Sequence, residues 1–87
     1  ITDCFARQNG GAGIAVTTAL VSGNTVQSNV EDGIAATGPA LIRSNVSQGN
    51  TLDGIDVGAG AAVVANVSNA NGGFGLRIGG GSSFRAN

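Results

Sequence analysis

Three columns of residues recur at a fixed interval, and they constrain the fold of this chain more than any other feature. Asparagine recurs every 21 residues, and a second asparagine column follows five residues after the first. Glycine followed by a branched aliphatic residue recurs at the same interval. The members are Asn24, Asn45, Asn66 and Asn87; Asn29, Asn50 and Asn71; and Gly33-Ile34, Gly54-Ile55 and Gly75-Leu76. A sustained period of this length is typical of stacked repeats, so the sequence predicts a solenoid.

One period of the repeat predicts three short strands. Residues 33–36 alternate in the way expected of a first strand, and Pro39 lies in the turn that follows, where it need not donate to a ladder. Residues 41–43 and 46–48 form the second and third strands. Between them, Ser44-Asn45 is predicted to be a tight bend, with Asn45 in the left-handed conformation that asparagine tolerates well.

Strands this short find partners only in equivalent strands one period away, paired in parallel at about 4.8 Å. The sequence therefore predicts an all-β solenoid of about four coils of 21 residues, with three short strands per coil, formed by the whole chain, residues 1–87. An asparagine stacked on an asparagine can donate and accept along the stack. We therefore expect buried, hydrogen-bonded ladders in both columns, namely Asn24, Asn45 and Asn66, and Asn29, Asn50 and Asn71.

Composition excludes several classes of function. The net charge is −1 with four basic residues, which gives no basis for a nucleic-acid-binding surface. There is no histidine and only one cysteine, so a His/Cys zinc site, a Ser-His-Asp unit and an internal disulfide are excluded. We expect Cys4 to be a small buried residue, with an intermolecular bond as the alternative. No apolar run approaches the roughly 18 residues of a membrane span, and no cofactor is expected.

The repeat unit itself resembles a known family. An asparagine, a second asparagine five residues later, Gly-Ile four residues after that and then an apolar strand resemble the right-handed parallel β-helix repeat of the pectate-lyase-like superfamily. That superfamily includes polysaccharide lyases, alginate epimerases, phage tailspikes and surface proteins. The resemblance implies a right-handed parallel β-helix located outside the cell or on its surface. The chain departs from the family at Cys4, which replaces a bend asparagine, and it lacks the tyrosine and histidine of the epimerase site.

A small set of charged residues forms the candidate substrate-binding site. Asp56 and Arg77 occupy the same outward slot in adjacent coils, and Asp53 lies in the column before the glycine, where we also expect an exposed side chain. In the lyases that the coils resemble, calcium neutralises a uronate and an arginine removes its proton, so the resemblance would make Arg77 the base. The alternative is a surface ion pair worth about 0–1 kcal/mol. We assign no catalytic residue and no metal ligand.

Two functions remain open at the level of the sequence. Neither end of the repeat array carries a polar cap or a charged edge strand, the devices that normally protect a solenoid. This favours a structural segment that extends a rod or filament, or acts as a spacer, by end-to-end stacking on further coils of the same or a parent chain. The alternative is a non-catalytic part of a carbohydrate-active β-helix. With three aromatic residues, platforms for sugar stacking are scarce.

Overall fold

A computed structural model describes all residues, 1–87, and contains twelve β-strands and no helix. Each strand has three residues, and tight bends or short loops join them. The strands are β1 Phe5–Arg7, β2 Ile14–Val16, β3 Leu20–Ser22, β4 Thr25–Gln27, β5 Ile34–Ala36, β6 Leu41–Arg43, β7 Val46–Gln48, β8 Ile55–Val57, β9 Ala62–Val64, β10 Val67–Asn69, β11 Leu76–Ile78 and β12 Ser83–Arg85. No helix capable of crossing a membrane occurs in this structure.

The strands assemble into three sheets of four strands each, and every pairing is parallel. The first sheet has the order β2-β5-β8-β11, the second β3-β6-β9-β12 and the third β1-β4-β7-β10. The registers follow the sequence columns: Ile34 pairs with Ile55, and Ile42 with Val63. Ile14 pairs with Ile34 although the step between them is one residue shorter. The predicted stack of about four coils, with three short strands in each, is confirmed.

Aliphatic side chains from all three sheets fill the interior of the coils. They come from the inward positions of the strands and from the turns between the first and second sheets. Each fully buried valine or isoleucine contributes about 1.5–3 kcal/mol relative to an exposed one. The core residues are Ile14, Val21, Val26, Ile34, Ala36, Ala40, Ile42, Ile55, Val57, Ala61 and Val63.

The bends beside the asparagine columns differ from the prediction. Ser44 has a φ of 56°, whereas Asn45 is not in the left-handed region. The residue that precedes an asparagine makes the bend, and the asparagine that follows directs its side chain into the stack. The prediction that Asn45 adopts the left-handed conformation is therefore wrong. The same holds along both columns, where the left-handed residues are Asp3, Gly23, Ser44, Ala65 and Ala86, and Gln8, Ser28, Gly49 and Ala70.

The recurring glycine is required by close packing and not by its backbone angles. A Cβ atom at Gly33 would lie 2.7 Å from the side-chain nitrogen of Asn50, and it would also overlap the Ser47 hydroxyl. At Gly54 it would lie 2.7 Å from the carbonyl oxygen of Gly75 and would overlap Ser68. The glycine that precedes the first strand of each coil therefore passes directly against the second asparagine column.

Candidate functional sites: two asparagine ladders and an open groove

The first asparagine column forms a continuous ladder, as predicted. The Oδ1 atom of Asn45 accepts the backbone N–H of Asn24 at 2.9 Å and its side-chain Nδ2 at 3.0 Å. Asn45 donates in the same way to Asn66. Its Nδ2 also donates to the carbonyl oxygen of Val21 at 2.9 Å. Asn24 and Asn45 are 1% exposed and Asn66 is 2% exposed, so the amides are satisfied entirely within the stack.

The second column forms a ladder of the same kind. Asn50 Oδ1 accepts the N–H of Asn29 at 3.1 Å and its Nδ2 at 2.9 Å. Asn50 Nδ2 donates to the Ser47 hydroxyl, which donates to the carbonyl oxygen of Gly54 at 2.6 Å. Ser47 is fully buried, and sequence reasoning missed this role. Ser68 occupies the same position relative to the second ladder in the next coil, and this recurrence was the signal in the sequence.

Asn9 extends the second ladder by one member that the sequence columns did not include. Its N–H and its Nδ2 donate to Asn29 Oδ1 at 3.1 Å and 2.9 Å. Asn9 is 20 residues from Asn29, so the strict interval of 21 misses it. The shortened step is the same one that brings Ile14 opposite Ile34.

Asp53 does not lie on an open surface, so the expectation of an exposed side chain at this position is wrong. The residue is 8% exposed, and its Oδ1 accepts the backbone N–H of Phe74 at 2.8 Å. Its own N–H donates to Asp32 Oδ1 at 2.8 Å. The two aspartates therefore satisfy backbone donors of the loop before the first sheet. This contact runs in the direction opposite to the asparagine ladders, since the side chain accepts from the coil that follows.

Asp56 and Arg77 do lie together on the outer face of the first sheet. They are directly opposite in the register of β8 and β11, and Arg77 Nε is 4.0 Å from Asp56 Oδ1. Arg77 Nη1 is 3.8 Å from Asp53 Oδ2. The Arg77 side chain is 66% exposed, so these contacts have the character of a solvated surface ion pair.

Partial burial raises the pKa of the Asp56 carboxyl above its ordinary value. The Arg77 guanidinium opposes this shift by favouring the carboxylate, and the negative charges of Asp32 and Asp53 add to it. Loss of solvation is the largest of these causes, because the carboxyl sits against the sheet. Arg77 thus only partly compensates for that loss.

An open groove of about 380 Å³ runs beside this pair. It is lined by Asp56 and Arg77, by Thr37, and by the turn glycines Gly58 and Gly79. The groove offers one carboxylate, one guanidinium and one hydroxyl, and its remaining lining includes the apolar side chains of Ala36, Val57 and Ile78. Asp53 is not among its lining residues.

The groove does not fit the calcium-assisted chemistry that the family resemblance implies. Calcium takes six to eight oxygen ligands, often from several carboxylates. No group of three or more His, Cys, Asp or Glu side chains in the structure is arranged to hold a metal ion. We therefore derive no proton transfer by Arg77 from this arrangement.

Cys4 is exposed, and the prediction that it is a buried residue is wrong. It occupies the position of the first ladder in the outermost coil, where its N–H donates to Asn24 Oδ1 at 2.8 Å. Its Sγ lies 3.2 Å from the carbonyl oxygen of Thr2. The side chain is uncovered because no coil lies on that side of it.

Comparisons of the chain with protein-family models, with curated proteins and with solved structures found no match. The geometry alone therefore defines the class of this protein. It is a short parallel β-solenoid whose corners are held by two asparagine ladders.

Proposed function

We propose that this chain is a structural β-solenoid segment, which extends a rod or filament or spaces other parts of an assembly. It does so by stacking end to end on further coils of the same or a parent chain. The observation that carries the proposal is the contrast between the edges of the stack and its middle. Columns of inward side chains are buried in the middle coils and exposed in the coils at both edges of the stack.

The open edges expose apolar side chains. At the N-terminal edge Ile1 is 49% exposed, and at the C-terminal edge Phe84 is 65% exposed. Val63, directly beneath Phe84 in the same column, is fully buried. Covering such surface is favourable by about 25 cal/mol per Å². A further coil at either edge would gain this term.

The edges also expose strands that pair on one side only. These are β1 and β2 at one edge and β10, β11 and β12 at the other, each at the end of its sheet. Unpaired strand edges are templates for further pairing unless charge, proline or a covering segment blocks them. The edge strands contain no proline, and their only charged residues are Arg7, Arg77 and Arg85. Little therefore opposes continued stacking.

Sedimentation velocity and electron microscopy at micromolar concentration test this proposal. We expect concentration-dependent, elongated oligomers. Phe84→Lys, which places a charge in the open core of the C-terminal edge, should abolish them. Leu41→Lys changes an outward residue of a middle coil and serves as the matched control, with association unchanged. A dispersed wild-type monomer whose terminal coils resist hydrogen exchange would contradict the proposal.

The groove favours a second candidate, a non-catalytic carbohydrate-binding part of a larger β-helix protein. Asp56, Arg77 and Thr37 offer hydrogen-bonding groups to a sugar or a uronate. The family resemblance supports this ligand class and a location outside the cell or at its surface. Titration with uronate oligosaccharides, followed by nuclear magnetic resonance, should show binding that Arg77→Ala removes and Arg43→Ala retains. Equal shifts in both variants would reject a site at the groove.

A further inference from the structure

We propose that Asn71 is a site of covalent self-modification, which the second ladder holds unreactive in the folded chain. The reaction is deamidation, in which the backbone nitrogen of Gly72 attacks the side-chain amide of Asn71. It needs no reactant other than water. Separation of the coil that contains Asn71 from the coil that contains Asn50 releases the reaction.

The residue that follows each ladder asparagine sets its susceptibility. The next backbone nitrogen must reach the side-chain carbonyl carbon, and a stiff, branched side chain on that next residue hinders the approach. Glycine brings no such hindrance and has the greatest backbone freedom. Asn71 and Asn9 precede glycine, whereas five other ladder asparagines precede a β-branched residue. These five pairs are Asn24-Thr25, Asn29-Val30, Asn45-Val46, Asn50-Thr51 and Asn66-Val67.

Close packing explains the glycine at position 72. A Cβ atom at Gly72 would overlap the carbonyl oxygen of Thr51 and would lie 3.0 Å from its carbonyl carbon. The Gly72 N–H also donates to the carbonyl oxygen of Asn50 at 2.8 Å. The turn therefore requires a glycine directly after a ladder asparagine, and the packing itself creates the reactive pair.

Hydrogen bonds hold both reacting groups in the folded chain. Asn71 Oδ1 accepts the N–H of Asn50 at 3.0 Å and its Nδ2 at 2.9 Å. Asn71 Nδ2 donates to the Ser68 hydroxyl at 3.1 Å and to the carbonyl oxygen of Ser47 at 3.3 Å. The proton of the Gly72 nitrogen points at Asn50. Attack on Asn71 Cγ requires these contacts to break together, so the turn must open locally before the reaction can occur.

The reaction balances with water as its one added reactant. The Gly72 nitrogen loses its proton and bonds to Cγ of Asn71, while the Cγ–Nδ2 bond breaks and ammonia leaves. Water then opens the resulting succinimide ring. Cleavage between Cγ and the ring nitrogen gives aspartate. Cleavage between the backbone carbonyl carbon and that nitrogen gives isoaspartate, in which the main chain runs through Cγ.

Either product weakens the second ladder. An aspartate carboxylate still accepts from Asn50, but it has no proton for the Ser68 hydroxyl or for the Ser47 carbonyl oxygen. An isoaspartate lengthens the main chain by one methylene just before Gly72, which packs tightly against Thr51. The modified turn cannot re-form all of its contacts. An opening that was reversible thereby becomes an irreversible chemical step.

The pair Asn9-Gly10 provides a comparison within the same chain. The Gly10 N–H makes no hydrogen bond in the structure, and a Cβ atom at Gly10 would meet nothing within 4 Å. The nucleophile that is shielded at Gly72 is therefore open at Gly10. The same dipeptide sequence occurs in two different environments, so a difference in their rates reports the environment and not the sequence.

Peptide mapping by mass spectrometry of the 87-residue chain tests the proposal. One sample is kept folded at mildly alkaline pH and a second is kept in denaturant, and conversion of amide to acid is followed at each asparagine. In denaturant we expect similar rates at Asn71 and Asn9, and a far lower rate at Asn50 because Thr51 follows it. Folding should slow the reaction at Asn71 by about 100-fold or more, and to a rate below that at Asn9.

The variant Ser68→Ala tests whether the ladder is the shield. It removes one acceptor of Asn71 Nδ2 and leaves the reacting residues unchanged. The rate at Asn71 should rise in the folded sample and stay the same in denaturant. Ser83→Ala, at an exposed position of β12, is the matched control and should change neither rate. Circular dichroism establishes that both variants are folded.

Three results would overturn the proposal. An unmodified Asn71 in denaturant would show that the pair is not reactive. Equal rates at Asn71 in the folded and denatured samples would show that folding does not protect it. An unchanged folded-state rate in Ser68→Ala would show that the ladder contacts are not the cause of the protection.

Discussion

Middle coils and edge coils of this solenoid have equivalent sequences, but they differ sharply in what they bury. Ile55 and Val63 are fully buried in the third coil. Their counterparts one coil later, Leu76 and Phe84, are partly buried and 65% exposed. The residues occupy the same columns and pair in the same register. Burial here is therefore a property of the coils on both sides of a residue and not of the residue's own coil.

This difference follows from the way a solenoid is built. Each coil contacts only its neighbours, so stability is approximately a sum of coil terms and interface terms. A middle coil takes part in two interfaces and an edge coil in one. Matched substitutions in one column, made in a middle coil and in an edge coil, should therefore have unequal effects.

The largest effect is expected from a charge in the middle of the core. Ile55→Asp should unfold the chain, because an unpaired buried carboxylate costs several kcal/mol and small domains have about 5–15 kcal/mol in total. Leu76→Asp, in the same column at the edge, should cost clearly less because water can reach it. Chemical denaturation of the two variants checks this, and equal losses would show that the edge coil is sealed.

A smaller contrast is expected in the glycine column. Gly33→Ala would bring a Cβ within 2.7 Å of the Asn50 nitrogen, whereas at Gly75 the nearest atom is 3.5 Å away. We expect Gly33→Ala to lower the free energy of unfolding by about 1–3 kcal/mol, the usual range for overpacking. Gly75→Ala should change it little. Thermal unfolding of both variants measures the difference. If Gly33→Ala were as stable as the wild type, the second ladder would have to shift to make room for the added methyl group.

The stack could be predicted from the sequence because, in a parallel solenoid, residues one period apart pair with each other. Residues at one interval must lie over each other, so the columns that contain Asn45 and Ile55 give the ladder and the core register directly. The inward column of the second sheet, Val21, Ile42, Val63 and Phe84, follows for the same reason. No long-range topology had to be guessed.

The features that sequence missed lie where periodicity has no information. The alternation of inward and outward side chains does not extend into the loop that contains Asp53. The sequence therefore did not indicate that this side chain is buried and accepts a backbone hydrogen bond. Cys4 follows the column of the buried asparagines, yet it lies at an edge, where a column no longer implies burial. The groove pair Asp56 and Arg77 was predicted from register alone, although the separation of the two groups depends on side-chain conformation.

The left-handed bend at Ser44-Asn45 was assigned to Asn45, whereas Ser44 adopts it, and the same position in the next coil indicates a stabilising substitution. Ala65 has a φ of 54°, a conformation that costs a non-glycine residue about 1–2 kcal/mol. Gly23 occupies the same column with a φ of 70°. Ala65→Gly should therefore raise the free energy of unfolding by about 0.5–1 kcal/mol, after the entropy cost of glycine.

A control distinguishes relief of the bend from a general effect of glycine. Ala35→Gly, in the extended strand β5, should lower stability by about 0.5–1 kcal/mol. Denaturation midpoints that move in opposite directions for the two variants would establish the bend as the cause. A loss of stability in both would place the left-handed strain elsewhere in the stack.

The smallest effect is expected at Asp56, on the outer face of the first sheet. Because its pKa is raised in the folded state, folding favours the protonated carboxyl, and stability attributable to this group falls as pH rises through that raised pKa. Asp56→Asn removes the titration. The variant should match the wild type below the ordinary aspartate pKa of about 3.9 and be slightly more stable than the wild type near neutral pH.

Arg77→Ala offers the complementary change, because it removes the cation that partly offsets the pKa shift of Asp56. The stability lost between acid and neutral pH should therefore be larger in this variant than in the wild type. Denaturation curves at several pH values test both. If Asp56→Asn were instead less stable than the wild type at neutral pH, the ion pair with Arg77 would contribute more stability than the partial burial of Asp56 costs. This outer face would then stabilise the fold, as the core of the middle coils does.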